Sequence, residues 1–398
     1  MSDGTAASGG DSPGQMPPPA DPTPPRAGGL RVLLIAPAPR AGTVQYTHNL
    51  ANALADRGHR VALATGVGFE LAPYPRAYTA LELFDRFRPR PLRFAKFLRL
   101  LFALRPQVVH LQGAQHPAAY IGLWAMLRVL TGAVFVYTPQ DVLPNRVRSY
   151  HSKALELLYR RVHHVFLNNR QNQELLAELF QVPASRTSVL PMADLTAFLR
   201  TLPARPPALA EGRRMVLCFG LIEARKGIGT LLEAFPEVLA RVPDAHLCIV
   251  GKALIDVEPY RANCRRLGIE AHVDIRAEYV SFEEMAGYFG RAEVITLPYE
   301  SGWNSGVLAS AYGFGKPVVA TTVGGFDEYV NDGVDGLLVP PRDPNALAGA
   351  IVRVLTDQPL RSRLRDGVAA ASGRYSWAEI ARRTETVYAA AIGAARGT

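Results

Sequence analysis

Cysteine is scarce in this sequence. Cys218, Cys248 and Cys264 are the three present, with no CxxC or other paired spacing, which argues against a disulfide scaffold or a zinc site and points to a reducing compartment. Long apolar runs are missing too. No apolar stretch of about 20 residues is free of charge, and the nearest candidate, around 117–136, is interrupted by Arg128. The start of the chain lacks a basic segment followed by an apolar run, so a signal peptide is not expected. Nine histidines form no cluster with metal-ligand spacing, and His116, His163 and His164 read as structural or exposed. Between residues 30 and 398 the GxSxG, P-loop and GxGxxG signatures are absent, which removes the nucleophile elbow, the Walker loop and the dinucleotide fingerprint. A cytoplasmic protein, soluble or peripheral on the inner face of the membrane and without a metal or cofactor, is the expectation.

What is present fits two α/β domains: 398 residues, 48% of them hydrophobic. The net charge of +9 is uneven. Residues 30–195 hold 20 Lys and Arg against 9 Asp and Glu, whereas residues 213–398 hold 21 against 22. The first half is therefore expected to face something anionic or simply to gain solubility. Residues 1–29, rich in Pro, Gly, Ser and Ala, read as a disordered tail. RVLLIAP (31–37) reads as a buried parallel strand, followed by a helix carrying Tyr46, Leu50 and Leu54 and stopped by Gly58, then a strand at 61–65. More strands are expected at 107–111, 134–138 and 164–168. After a proline-rich linker at 199–213 the pattern restarts, with strands at 215–220, 246–251, 293–298, 317–321 and 336–340. Two Rossmann-like doubly wound domains, 30–198 and 214–376, would enclose a cleft at the carboxyl ends of their strands.

Three stretches carry candidate chemistry. In FGLIEARKG (219–227) a strand ends at Gly220, and Arg225 and Lys226 follow where two cations could neutralise a diphosphate. In LPYESGWNSGVLASAYGFGKPVVAT (297–321) a strand ending near Tyr299 runs into a small-residue loop and a helix starting near Ser305. Asn304, Ser305 and Gly306 would offer free amides at a helix N-terminus, a position that favours an anion, though a plain capped helix accounts for the same residues. In the third, Gly324 and Gly325 turn after a strand, with Glu328 just beyond, while Asp343 and Pro344 open a helix.

The ordered set FGxxxxxKG, LPY…SGVL…A…G.GKPVVAT, VGG…E…DG..GLLVPP.D..ALA and SWAEIA…VY resembles the family 4 retaining glycosyltransferases. It is similar in particular to a branch with a Thr-x-His-Asn-x-x-Pro segment, here YTPQDVLPN (137–145), and the opening LLIAP…NLANALADRGHRVALAT also matches. The resemblance covers roughly residues 30–398 and implies the two-domain GT-B fold. It implies a UDP- or GDP-linked sugar as donor, retention by a front-face mechanism without a metal, and a sugar or lipid-linked acceptor. Carried over by position, Lys226 holds the donor diphosphate, and Asn304, Ser305 and Gly306 receive its phosphates. Gly42 lies near the reaction centre, Tyr279 and Val280 lie against the base, and Gly324, Gly325 and Glu328 lie near the donor. The helix after Trp377, residues 377–398, should cross back onto the first domain.

The departures are specific. Gly302 and Ser310 stand where the Glu-x7-Glu motif has its glutamates, Leu221 where an arginine is expected, and Ala41 for the first glycine of a pair. Gln140 and Asp141 replace the His-Asn of the first-domain motif, which leaves Asp141 as the carboxylate that could orient or deprotonate the acceptor. A catalytically silent partner protein, or an epimerase or hydrolase of nucleotide sugars on the same fold, therefore stays open beside the transferase. Finally, residues 86–105 hold seven basic residues and no acid. Phe94, Phe97, Leu98, Leu101 and Phe102 would form one stripe and Arg93, Lys96 and Arg99 the other, suited to an anionic membrane or to packing on the first sheet. A nucleic-acid partner is not expected, because no groove-reading module is present.

Overall fold

The computed structural model of the chain describes residues 28–40, 42–85, 91–113, 117–139, 142, 149–301, 305–323 and 325–396. Ala41, residues 86–90, His116, Gln140, Asp141, Gly302, Asn304, Gly324 and the tail before residue 28 lie outside these. The first half holds β1 (Arg31–Ala36), β2 (Arg60–Gly66), β3 (Thr79–Phe84), β4 (Val108–Gln112), β5 (Val134–Thr138), β6 (His164–Leu167) and β7 (Thr187–Val189). They form one sheet in the order β3-β2-β1-β4-β5-β6-β7, parallel throughout. Around it run α1 (Gly42–Asp56), α2 (Pro91–Leu104), α3 (Pro117–Thr131), α4 (Ser149–Arg161) and α5 (Arg170–Phe180).

The second half repeats the plan with β8 (Arg214–Phe219), β9 (Ala245–Val250), β10 (Val273–Arg276), β11 (Val294–Leu297), β12 (Val318–Thr321) and β13 (Gly336–Val339). Their order is β10-β9-β8-β11-β12-β13, again all parallel. Its helices are α6 (Ile228–Arg241), α7 (Glu258–Leu267), α8 (Phe282–Arg291), α9 (Gly306–Gly313), α10 (Phe326–Tyr329), α11 (Pro344–Thr356), α12 (Gln358–Ser372) and α13 (Trp377–Arg396).

The central strands are unbroken apolar runs because helices cover both faces: Val32 to Ala36 are fully buried, as are Met215, Val216 and Leu217. The expected strands all appear. Three that the sequence reading lacked, β3, β7 and β10, are outermost in their sheets. Edge position explains the weak signal, since β3 is only half-buried along its length and β10 alternates Val and Ile with Asp and Arg.

The last helix does cross back. Ile380, Ala381 and Tyr388 of α13 join the core beneath Val32, Leu34 and Leu50, and Trp377 Nε1 donates to the Asp194 carbonyl at 2.7 Å. In α2 the packed stripe is narrower than expected. Phe97, Leu101 and Leu104 are buried, whereas Phe94 and Phe102 are 45% and 64% exposed. Phe102 follows Leu101 by one residue, about 100° around the helix, and so points off the packed side.

Candidate functional site

Each sheet reverses its winding between its first strand and the next in line, at β1/β4 and at β8/β11. A crevice forms outside the carboxyl ends of the strands at such a point. Here the two crevices share one cavity of about 630 Å3. Gln112, Thr138 and Asn168, which end or follow β4, β5 and β6, line it from one side. Gly220 and Gly251, just past β8 and β9, line it from the other.

The second-half wall is cationic. The loop after β8 turns through Gly227, whose φ of +64° suits glycine, and a Cβ there would lie 1.8 Å from the Pro298 carbonyl oxygen. That close approach seats Lys226 against β11. Lys226 is only 7% exposed, its ammonium lies 3.8 Å from the Tyr299 ring centre, and it donates to the Tyr299 hydroxyl. Tyr299 in turn is 3.1 Å from Ser305 Oγ. Among the described residues no carboxylate pairs with Lys226. A buried ammonium without a counter-charge is costly, so an anion in the cavity would complete the site. Arg225 and Lys252 also line the cavity, and Arg225 lies 2.6 Å from Glu223 without hydrogen-bond alignment.

Above Lys226 stands the N-terminus of α9. Ser305 caps it, its side chain accepting from the Leu308 amide, while the Gly306 and Val307 amides have no acceptor within the helix. Both the orphan donors and the helix dipole favour a phosphate there. Leu195 from the opposite side closes on this point: a Cβ on Gly306 would lie 2.6 Å from its Cδ1, and one on Gly42 3.7 Å.

Among the described residues the first-half wall is polar and, apart from Arg40, uncharged. Behind it His110 is fully enclosed, with Nδ1 2.6 Å from the Tyr388 hydroxyl and Nε2 2.7 Å from Thr138 Oγ1. Burial pushes its pKa down to about 3, so it is a neutral imidazole that fixes the Thr138 hydroxyl. At the mouth the Tyr279 hydroxyl donates to Glu70 at 2.8 Å and joins the two walls. Burial and Glu70 together hold that phenol above its usual range.

Of the sequence candidates, Gly42, Gly220, Arg225, Lys226, Tyr279, Val280, Ser305, Gly306 and Ser310 line the one cavity. Ser310 is buried, and its hydroxyl donates to the Gly306 carbonyl at 2.8 Å. Three candidates sit elsewhere. Tyr299 lies beneath the wall as the support of Lys226. Gly325 packs beside Asn169, and Glu328 accepts from the Arg170 amide at 3.1 Å, so this turn caps α5 across the domain boundary and does not line the cavity. Asp141, Asn304 and Gly324 lie outside the described residues. Arg40, Lys252, Gln112 and Thr138 were missed. Lys252 lies two residues past the end of β9, and a search for basic residues just past a strand end would have found it.

Comparison with known proteins agrees with this geometry. A family model described as Glycosyltransferase Family 4 matches residues 40–193, and one described as Glycosyl transferases group 1 matches residues 213–357. A D-inositol 3-phosphate glycosyltransferase of Nocardioides sp. is 31% identical over 230 residues, covering 54% of this chain and 50% of the relative. A phosphatidyl-myo-inositol mannosyltransferase of Mycobacterium tuberculosis is 33% identical over 188 residues, 46% of this chain and 48% of the relative. The chain thus spans about half the length of the curated relatives it matches. Among solved structures, Anabaena HepE in complex with UDP and glucose superposes with a TM-score of 0.70 at 18% identity, over 91% of this chain and 100% of that one. The sucrose-phosphate synthase of Thermosynechococcus elongatus gives 0.69 at 22%, over 92% and 100%. At these identities the likeness is one of fold, the GT-B arrangement of two facing Rossmann-like domains.

Proposed function

Starting from a chain that belongs to the family 4 glycosyltransferases, we propose that it moves a sugar from a UDP- or GDP-linked donor to an acceptor hydroxyl with retention. The observation that carries this reading is the buried Lys226 ammonium, with no carboxylate partner among the described residues, below the free amides of α9. As the bond from the anomeric carbon to the diphosphate breaks, negative charge grows on the leaving oxygen. Lys226 and the Gly306 and Val307 amides stabilise that charge more in the transition state than in the bound donor, which lowers the barrier. Arg225 and Lys252 add to the same field, and the reaction needs no metal. In the front-face course the leaving oxygen takes the acceptor proton, and the acceptor oxygen bonds to the anomeric carbon on the face the diphosphate leaves. Tyr279 and Val280 lie against the base, and Asp141 orients the acceptor.

The acceptor is a hydroxylated, lipid-linked or polysaccharide precursor, in line with relatives named for inositol phosphates, one of them lipid-borne. Among the described residues no helix is long and apolar enough to cross a membrane. Peripheral attachment to an anionic bilayer is supported by Leu92, Phe94 and Phe102 on α2 and Val129 and Leu130 on α3, all exposed, beside Lys96, Arg99, Arg105 and Arg128. Co-sedimentation with phosphatidylglycerol vesicles but not phosphatidylcholine vesicles is expected for the attachment. For the transfer, UDP- and GDP-sugars are screened with sugar and lipid-linked acceptors. Acceptor-dependent release of nucleoside diphosphate, with the donor's anomeric configuration kept in the product by NMR, is expected. Release of free sugar at the same rate without acceptor would overturn the transferase reading.

A further inference from the structure

We propose that His246, Cys248 and Asp274 form a second site, away from the cleft, for zinc or another divalent cation that accepts sulfur. The three residue types span the donors such an ion takes: imidazole nitrogen, thiolate sulfur and carboxylate oxygen. Strand geometry brings them together. His246 and Cys248 are two apart on β9 and so share one face. In the parallel pairing of β10 with β9, Asp274 lies directly opposite Cys248. His246 Nε2 is 2.8 Å from Asp274 Oδ2, and the donor atoms of all three lie within 4.8 Å of one another. Ligands of a tetrahedral zinc, bound at ~2.0–2.3 Å, are ~3.3–3.8 Å apart, so small side-chain rotations suffice.

Burial and access fit as well. His246 and Cys248 are buried, while the Asp274 side chain is 66% exposed. Asp274 opens into a polar pocket of about 420 Å3 lined by Arg205, Glu278, Glu284 and Tyr288, through which an ion and its fourth, water ligand can enter. Among the described residues no other group of His, Cys, Asp and Glu brings three donors this close. Cys218 lies in the other core of the second half and Cys264 on α7. On binding, the hydrogen bond between His246 and Asp274 gives way to two bonds to the ion. The Cys248 thiol releases its proton to solvent as the sulfur–metal bond forms. The site lies roughly 10–16 Å along β9 from Gly251 at the cleft, so the ion acts on stability. It would tie the edge strand β10 to β9 beside the linker.

The test uses the full chain, free of any affinity tag and stripped of metal by chelator. Titration with CoCl2 is expected to give one equivalent of tetrahedral cobalt with a thiolate charge-transfer band in the near ultraviolet. That band should vanish in Cys248→Ala and persist in Cys264→Ala, and ZnCl2 should raise the wild-type melting temperature. Should Cys248→Ala fail to fold, the surface variant Asp274→Asn still decides, with cobalt affinity expected to fall at least about tenfold. No thiolate band in the wild type, a band that survives Cys248→Ala, or unchanged affinity in Asp274→Asn would each overturn the proposal.

Discussion

The two walls of the cleft invert the charge balance of the halves that build them. The first half has 20 Lys and Arg against 9 acids, yet among the described residues its wall presents the single cation Arg40 beside neutral groups such as Gln112, Thr138 and Asn168. The second half has 21 basic residues against 22 acids, yet it places Arg225, Lys226 and Lys252 on the cavity. Net charge therefore says little about where a phosphate binds. What matters is which cations the fold buries without a counter-ion, and Lys226 is such a group. Arg93, Lys96, Arg99 and Arg105, part of the basic excess of the first half, sit on or just past α2 and do not line the cavity.

Lys226→Ala strikes the contrast hardest. Removing one preorganised charge donor should lower turnover on the order of 10^2- to 10^3-fold, measured as nucleoside diphosphate release, whereas Arg40→Ala should cost less than about tenfold. Equal losses in the two variants would erase the distinction between the walls. Gly227→Ala is next: a Cβ 1.8 Å from the Pro298 oxygen at a φ of +64° should cost about 3 kcal/mol or more, read from urea unfolding.

The first half has its own signature in pH, carried by two buried histidines, His48 on α1 and His110 behind the wall. His48 and His110 are pushed by burial down to about 4 and about 3, below the usual value of 6.5. The unfolded chain therefore binds more protons in that window. Their contribution is fully present above pH 6.5 and is lost as pH falls towards 4, by up to ~1.4 kcal/mol per pH unit for each group. Urea melts from pH 7 to 4 should show this slope, and Tyr388→Phe, which strips His110 of a partner, should cost a further ~1–3 kcal/mol at pH 7. The smallest effect is expected for Tyr279→Phe. It removes one solvent-facing bridge between the walls and should weaken donor binding by less than about fivefold.

The fold was largely legible because parallel strands covered on both faces write themselves as apolar runs, as RVLLIA and MVLCF do. β3, β7 and β10 were not, since edge strands need only one buried flank. In the cleft, Lys226, Ser305 and Gly306 were readable because a strand end followed by a helix start is a local pattern. The contact of Glu328 with the Arg170 amide was not legible, because that partner is 158 residues away and only the domain contact brings them together. His246 and Asp274 were invisible for a related reason: nothing in the sequence states the register that sets β10 beside β9. His110 reached significance only through Tyr388, which arrives on α13 from the far end of the chain.

The claim beneath all of this is that the second-half wall is a diphosphate site built around Lys226. Calorimetric titration of wild-type protein and Lys226→Ala with UDP and with GDP tests it directly. One equivalent of a single nucleotide should bind the wild type, with affinity at least about tenfold weaker in a folded Lys226→Ala. Identical affinity in the two proteins would contradict it.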